Sequence, residues 1–237
     1  MRQTVQWLPF LSSAIVFAFA ASVLHRYRRR RGLHLLLWGI GLLMYGIGTA
    51  SEAFYTALGW NEVAFRLWYL FGAMLVAAWL GQGTVYLLAR RRWAHVTMVI
   101  LLLGSLYGAA RVFTAQLDPT LMHPGELSGH AIITPGVRIL TPFFNLYGTV
   151  TLVGGALYSA WLFWRKGVLP HRAIGNVLIA VGAMFPAMSG LLSRIGLGGY
   201  LYVGELVGAA LMFAGFLRAT TPMPERRPAR SRSSAVR

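Results

Sequence analysis

The sequence predicts an all-α integral membrane protein with seven transmembrane helices, its N-terminus outside and its C-terminus in the cytoplasm. Three observations predict it. Seven apolar runs, at residues 5–24, 33–57, 63–88, 94–114, 141–164, 173–192 and 199–217, each approach the roughly 20 residues that cross about 30 Å of hydrocarbon at helical rise. Seventeen of the 22 basic residues fall on alternate connections and the C-terminal segment, and positively charged loops stay in the cytoplasm. Finally, 57% of residues are hydrophobic and only 12% charged, so the runs themselves carry few charges to keep them in water.

Taken in order, the first run is followed by Arg26 and Arg28 to Arg31. Its basic cluster therefore lies on the C-terminal side, which reads as a retained span rather than a cleaved leader. The third run ends at Arg90 to Arg92, the fifth at Arg165 and Lys166, and the seventh at Arg218. The sixth follows Arg172 and holds Pro186 near its middle, which predicts a kink. Residues 1–218 form the transmembrane domain. Residues 219–237 hold Pro222, Pro224, Pro228 and five further arginines, and are expected to be a disordered basic cytoplasmic tail.

Connections are short except for residues 115–140, which contain Pro119, Pro124 and Pro135 and cannot be helical throughout. Residues 131–134 and 137–140 flank Pro135-Gly136 and predict a small β-hairpin over the outer mouth. Asp118, His123, Glu126 and His130 are metal-compatible but match no established ligand spacing, so no metal is expected.

Composition excludes several functions. The absence of cysteine removes disulfides, thiol redox chemistry, iron–sulfur ligation and c-type haem. A net charge of +16 would point to nucleic acid in a soluble protein. Here the charge is topological, so no nucleic-acid partner is expected, and anionic lipids at the cytoplasmic face are the implied partners. Arginine outnumbers lysine 21 to one in a Gly- and Ala-rich chain, a bias that points to a GC-rich bacterial genome; the expected location is a bacterial inner membrane.

Chemistry concentrates in the outer half. Glu52 and Arg66 each lie seven positions from Gly59, which puts them at one depth in an antiparallel helix pair. An unpaired charge there is costly, so the two are expected to contact each other or to share a partner. Glu205 enters the seventh span similarly, with Arg111, Arg138 and Arg194 as candidate partners. The candidate ligand-binding set is Glu52, Tyr55, Arg66, Tyr69, Arg111, Asn145 and Glu205. Arginine anchors and aromatic walls would suit a small amphipathic or anionic molecule.

No catalytic residue and no cofactor is expected. There is no HExxH, Gly-x-Ser-x-Gly or nucleotide loop, and the seventh span has no lysine for a retinal Schiff base. His25, His34, His95 and His171 sit at span ends rather than at facing mid-span positions, as haem ligation would ask. Glycines such as Gly39, Gly46, Gly48 and Gly204-x-x-x-Gly208 allow close helix approach in lipid. A shift of 136 positions lays Arg29 on Arg165, Gly39 on Gly175, Gly46 on Gly182 and Gly72-Ala73 on Gly208-Ala209. This is a weak parallel repeat of three spans about a fourth, linking span.

Trp38, Glu52-Ala53, Trp60, Arg66-Leu-Trp-Tyr69 and Gly72, with the arginine loop after the first span, resemble the seven-helix sensor region at the N-terminus of some bacterial histidine kinases. The resemblance, without the kinase, implies a sensing module that signals through a separate partner. The 3+1+3 layout is also similar to seven-helix SWEET- and rhodopsin-type proteins, although Pro9 is followed by Phe10 where the former carry Pro-Gln. The expectation is a non-enzymatic receptor or sensor that binds a small molecule in an outer-half cavity. The alternatives are a small-solute transporter and a haem- or quinone-type redox protein.

Overall fold

The computed structural model describes residues 7–122, 127–167, 169–194 and 200–220, without the side chains of 193 and 194. Seven helices are each long and apolar enough to cross a membrane: α1 Leu8–Arg30, α2 Leu33–Leu58, α3 Glu62–Leu88, α4 Arg91–Phe113, α5 Val137–Arg165, α6 Pro170–Arg194 and α7 Leu201–Thr220. α1 and α5 run past their apolar stretches into C-terminal arginines. Arginine is a good helix former, and at a C-terminus its charge complements the helix dipole. Arg31 closes α1 in the left-handed region (φ 51°), its N–H bonding Tyr27 O at 2.7 Å. Gly59 (φ 82°) closes α2, and the Asn61 side chain caps α3 by accepting from Ala64 N at 2.9 Å.

Close approaches at glycine give the register. A Cβ on Gly39 would strike Leu24 and one on Gly46 would strike Phe17, so α1 and α2 are antiparallel. Gly48 lies on Gly72, and a Cβ there would fall 2.6 Å from the Gly72 Cα, so α2 and α3 cross backbone to backbone. Gly148 lies on Ala77 and Gly155 on Thr84, which makes α3 and α5 parallel. Gly182 opposes Gly208, and Gly175 opposes Gly215, along the antiparallel α6–α7 seam. Phe19 stacks on Phe213, and α1 runs parallel to α7. The six helices close a ring in the order α1, α2, α3, α5, α6, α7.

α4 stands outside the ring, against α3 and α5. Its outward face, with Ile100, Leu103, Leu106 and Tyr107, is exposed as a lipid-facing surface would be. Lipid supplies no hydrophobic drive to hold such a helix, so packing and polar bonds must do so. Trp79 Nε1 donates to Ser105 Oγ at 3.2 Å. The fully buried Gln82 donates to Ala94 O at 2.8 Å and to Thr97 Oγ1 at 3.1 Å, while accepting from Tyr147 OH on α5.

The connection after α4 departs from the predicted hairpin. Gly136 (φ 83°) starts α5, so residues 137–140 are its first turn and not a strand. The pairing that forms is a single antiparallel bridge, Leu117 with Ile132, with Asp118 N on Ala131 O at 2.8 Å and Ile133 N on Gln116 O at 3.1 Å. Residues 221–237 of the expected tail lie outside the described residues, as do His123 and Glu126.

Candidate functional site

Helix ends define two poles, a basic end carrying the arginine clusters and a loop end carrying the α4–α5 connection. Near the loop end, Glu52 sits six residues inside α2, about 9 Å from its terminus, and is fully buried. Trp68 Nε1 donates to Glu52 Oε1 at 2.7 Å. One turn deeper lies the Gly48–Gly72 crossing, which brings the two helices close enough for that bond. Trp68 also opens a π-helical stretch, Trp68–Leu75, whose wider turn is a local irregularity common at functional positions.

Across the bundle, Glu205 on α7 lies within electrostatic range of Glu52. Tyr45 OH, about two turns deeper on α2, donates to the Glu205 main-chain O at 3.0 Å. Both α2 and α7 pack on α1, and they make few direct approaches to each other. Adjacent carboxylates in a poorly solvated site repel strongly. Among the described residues, no hydrogen-bond donor reaches the buried Glu205 Oε2.

Ser12 adds a third group. The α1–α2 register (Phe17 on Gly46, Leu24 on Gly39) brings Ser12 level with Ser51 and Glu52, and the Phe19–Phe213 and Phe19–Phe216 contacts bring it within about a turn of Glu205. Its hydroxyl is fully buried and has no hydrogen-bond partner among the described residues.

The expected Glu52–Arg66 contact is not made. Two residues along a helix turn about 200°, so with Trp68 facing α2, Arg66 faces away toward α4. There it caps the C-terminal carbonyls of that helix, donating to Val112 O and, at 2.9 Å, to Ala115 O. It also pairs with Glu62 at 2.6 Å, one turn away on its own helix. Helix C-termini leave such carbonyls unsatisfied, so Arg66 is consumed by architecture.

The other expected site residues are likewise separate from the acid pair. Arg111 donates to Pro135 O at 2.8 Å and fixes the start of α5. Tyr69 OH shares a hydrogen bond with Thr141 Oγ1 at 2.9 Å, and Gly129 of the connection packs against the Tyr69 ring. Asn145 donates to Ala73 O at 3.1 Å inside the π-helical stretch. Tyr55 is half-buried against the aromatic core of Phe65, Trp68 and Tyr69. The Arg194 side chain, a candidate partner for Glu205, lies outside the described residues.

Sequence reasoning passed over Tyr45 and Gln82. Gln82 had a visible signal, since it is the one amide within residues 63–88. In the connection, Asp118 Oδ1 accepts from the Thr120 hydroxyl at 2.6 Å and from Thr120 N at 2.9 Å. These bonds hold the Asp118 carboxyl below its ordinary range, the hydroxyl contributing most. Among the described residues, no group of three His, Asp or Glu side chains comes together as a metal would need. Set against known proteins, the chain matches no family model, no curated protein and no solved structure.

Proposed function

We propose that this chain is a seven-helix receptor of sensor type in a bacterial inner membrane, with the loop end outward and the basic end in the cytoplasm. The basic clusters at one pole support that orientation. The observation that carries the reading is the placing of Glu205 within electrostatic range of the buried Glu52, which Trp68 bonds, with Tyr45 on the Glu205 main chain; on this reading the two acids share a proton. Ionisable groups within membrane spans are expensive and typically mark a ligand, ion or proton site. With Arg66 and Arg111 engaged by main-chain carbonyls, the layer offers acceptors rather than cations. Its ligand class shifts accordingly, from an anionic molecule toward a small amphipathic one with a cationic or hydrogen-donating head.

Because α2 and α7 make few direct approaches to each other, a ligand that takes over the acid pair would free the two helices from each other. Motion of α7 and of its neighbour α6, which carries Pro186, would then be passed to a signalling partner at the basic end. The test is to purify the protein in mild detergent and identify co-purifying small molecules by mass spectrometry. A specific amine- or hydroxyl-bearing amphiphile should be present on the wild type and lost from E205Q, with α-helical content retained. An identical small-molecule profile in both proteins contradicts the reading.

A second reading, a small-solute transporter of 3+1+3 layout, draws on the ring order. A two-fold relation that takes α1–α3 onto α5–α7 also takes the α3–α5 contact onto the α7–α1 contact. It carries Gly72, which meets Gly48, onto Gly208, which meets Gly182. Solute uptake by proteoliposomes that is lost in E205Q would favour transport over reception.

A further inference from the structure

A cavity of about 550 Å³ opens at the basic end between α1 and α7. That is within the range of about 300–1,000 Å³ typical of small-ligand sites. Its rim is formed by His25, Arg26, Arg29 and Arg30, and its wall by Ala21, Phe216 and Leu217. We propose that this cleft binds the phosphate headgroup of an anionic phospholipid, with the start of the acyl chain along the Phe216–Leu217 wall.

Charge balance supports an anion. Arg172 on α6 adds a fourth arginine within electrostatic range of Arg26. The described acids, Glu52, Glu62, Asp118 and Glu205, all belong to the other half of the bundle. The α1 dipole offers the equivalent of about half a negative charge at its C-terminus, too little to balance three guanidiniums on one turn. Arg26 spends one of its five N–H donors on Thr220 O, at 3.4 Å, which orients the guanidinium and leaves its planar fork to a phosphate.

Position selects the lipid. The cleft lies where α1 and α7 leave the apolar zone, and its polar rim and apolar wall match the two parts of a phospholipid at that depth. Not every arginine group at this end has such a setting. Arg90, Arg91 and Arg92 are all exposed, with none half-buried as Arg26 is, and they serve as an internal control of similar charge.

The test is native mass spectrometry of the full chain in detergent, with equal amounts of phosphatidylglycerol and phosphatidylcholine of identical acyl chains. The wild type should retain phosphatidylglycerol preferentially. R26Q/R29Q should reduce that preference about ten-fold, the change expected for loss of a charge-assisted contact. R90Q/R91Q, with the same change in net charge, should keep it. Displacement of the lipid by excess glycerol phosphate would retain the phosphate site and move its source to solution. Equal binding of the two lipids, or equal losses in the two variants, would overturn the proposal. Circular dichroism and gel filtration of each variant separate misfolding from loss of binding.

Discussion

Two polar regions of this protein lie at nearly one depth on neighbouring helices, yet they resolve their charge in opposite ways. Arg66 is satisfied by its surroundings, two carbonyls at the end of α4 and the carboxylate of Glu62. Glu52 and Glu205 bring two groups of like chemistry within electrostatic range, level with a buried Ser12 hydroxyl that has no partner among the described residues. The first arrangement fixes a peripheral helix to the ring. The second lies between two helices that make few direct approaches to each other. A buried charge in a membrane bundle is therefore not by itself a functional mark; what distinguishes the two regions is whether local architecture consumes the group's bonding capacity.

The contrast can be broken from either side, beginning with the largest effect. G48L places a side chain where a Cβ alone would lie 2.6 Å from the Gly72 Cα. Overpacking against a backbone costs about 1–3 kcal/mol or more, and here it also parts Trp68 from Glu52. A strong loss of detergent thermal stability is expected, with Trp68 fluorescence altered. R66A leaves two buried carbonyls without their donor, at about 1–3 kcal/mol each before relaxation, and thermal unfolding should show α4 loosened, with faster hydrogen exchange near Val112.

Smaller effects follow at the exposed edge. Glu62 is 62% exposed, and exposed ion pairs contribute about 0–1 kcal/mol, so E62Q should alter stability by less than that and leave ligand co-purification unchanged. The smallest effect is at Asp118. Its folded-state carboxyl lies below the unfolded range, so its contribution is present above the unfolded value and is lost as pH falls through the folded one. T120A, which deletes the hydroxyl bond and keeps the main-chain one, should weaken that acid-side dependence of the connection, measured as hydrogen exchange at position 120 and Ala131 across mildly acidic buffers.

The seven spans are legible in the sequence because length and apolarity are linear properties, and bilayer thickness sets a strict ruler. The depth of Glu52 and Arg66 is legible for the same reason. Their azimuth is not: it follows from the glycine crossing at Gly48 and Gly72 and from the π-helical stretch at Trp68–Leu75, which the residue pattern alone does not specify. Glu205 is visible as an acid in an apolar run, but its meeting with Glu52 depends on how the ring closes over α1. The β-branched pattern around Pro135-Gly136 pointed to a hairpin, and helix initiation at Gly136 overrode it.

The central claim of the proposed function is that Glu52 and Glu205 share one proton within the apolar layer. Infrared difference spectroscopy of reconstituted protein between mildly acidic and mildly alkaline buffer tests it most directly. The account predicts a protonated-carboxyl band in the wild type that is lost in E52Q and equally in E205Q, since one proton serves both groups. A band that survives both substitutions, or is absent from the wild type, would contradict it.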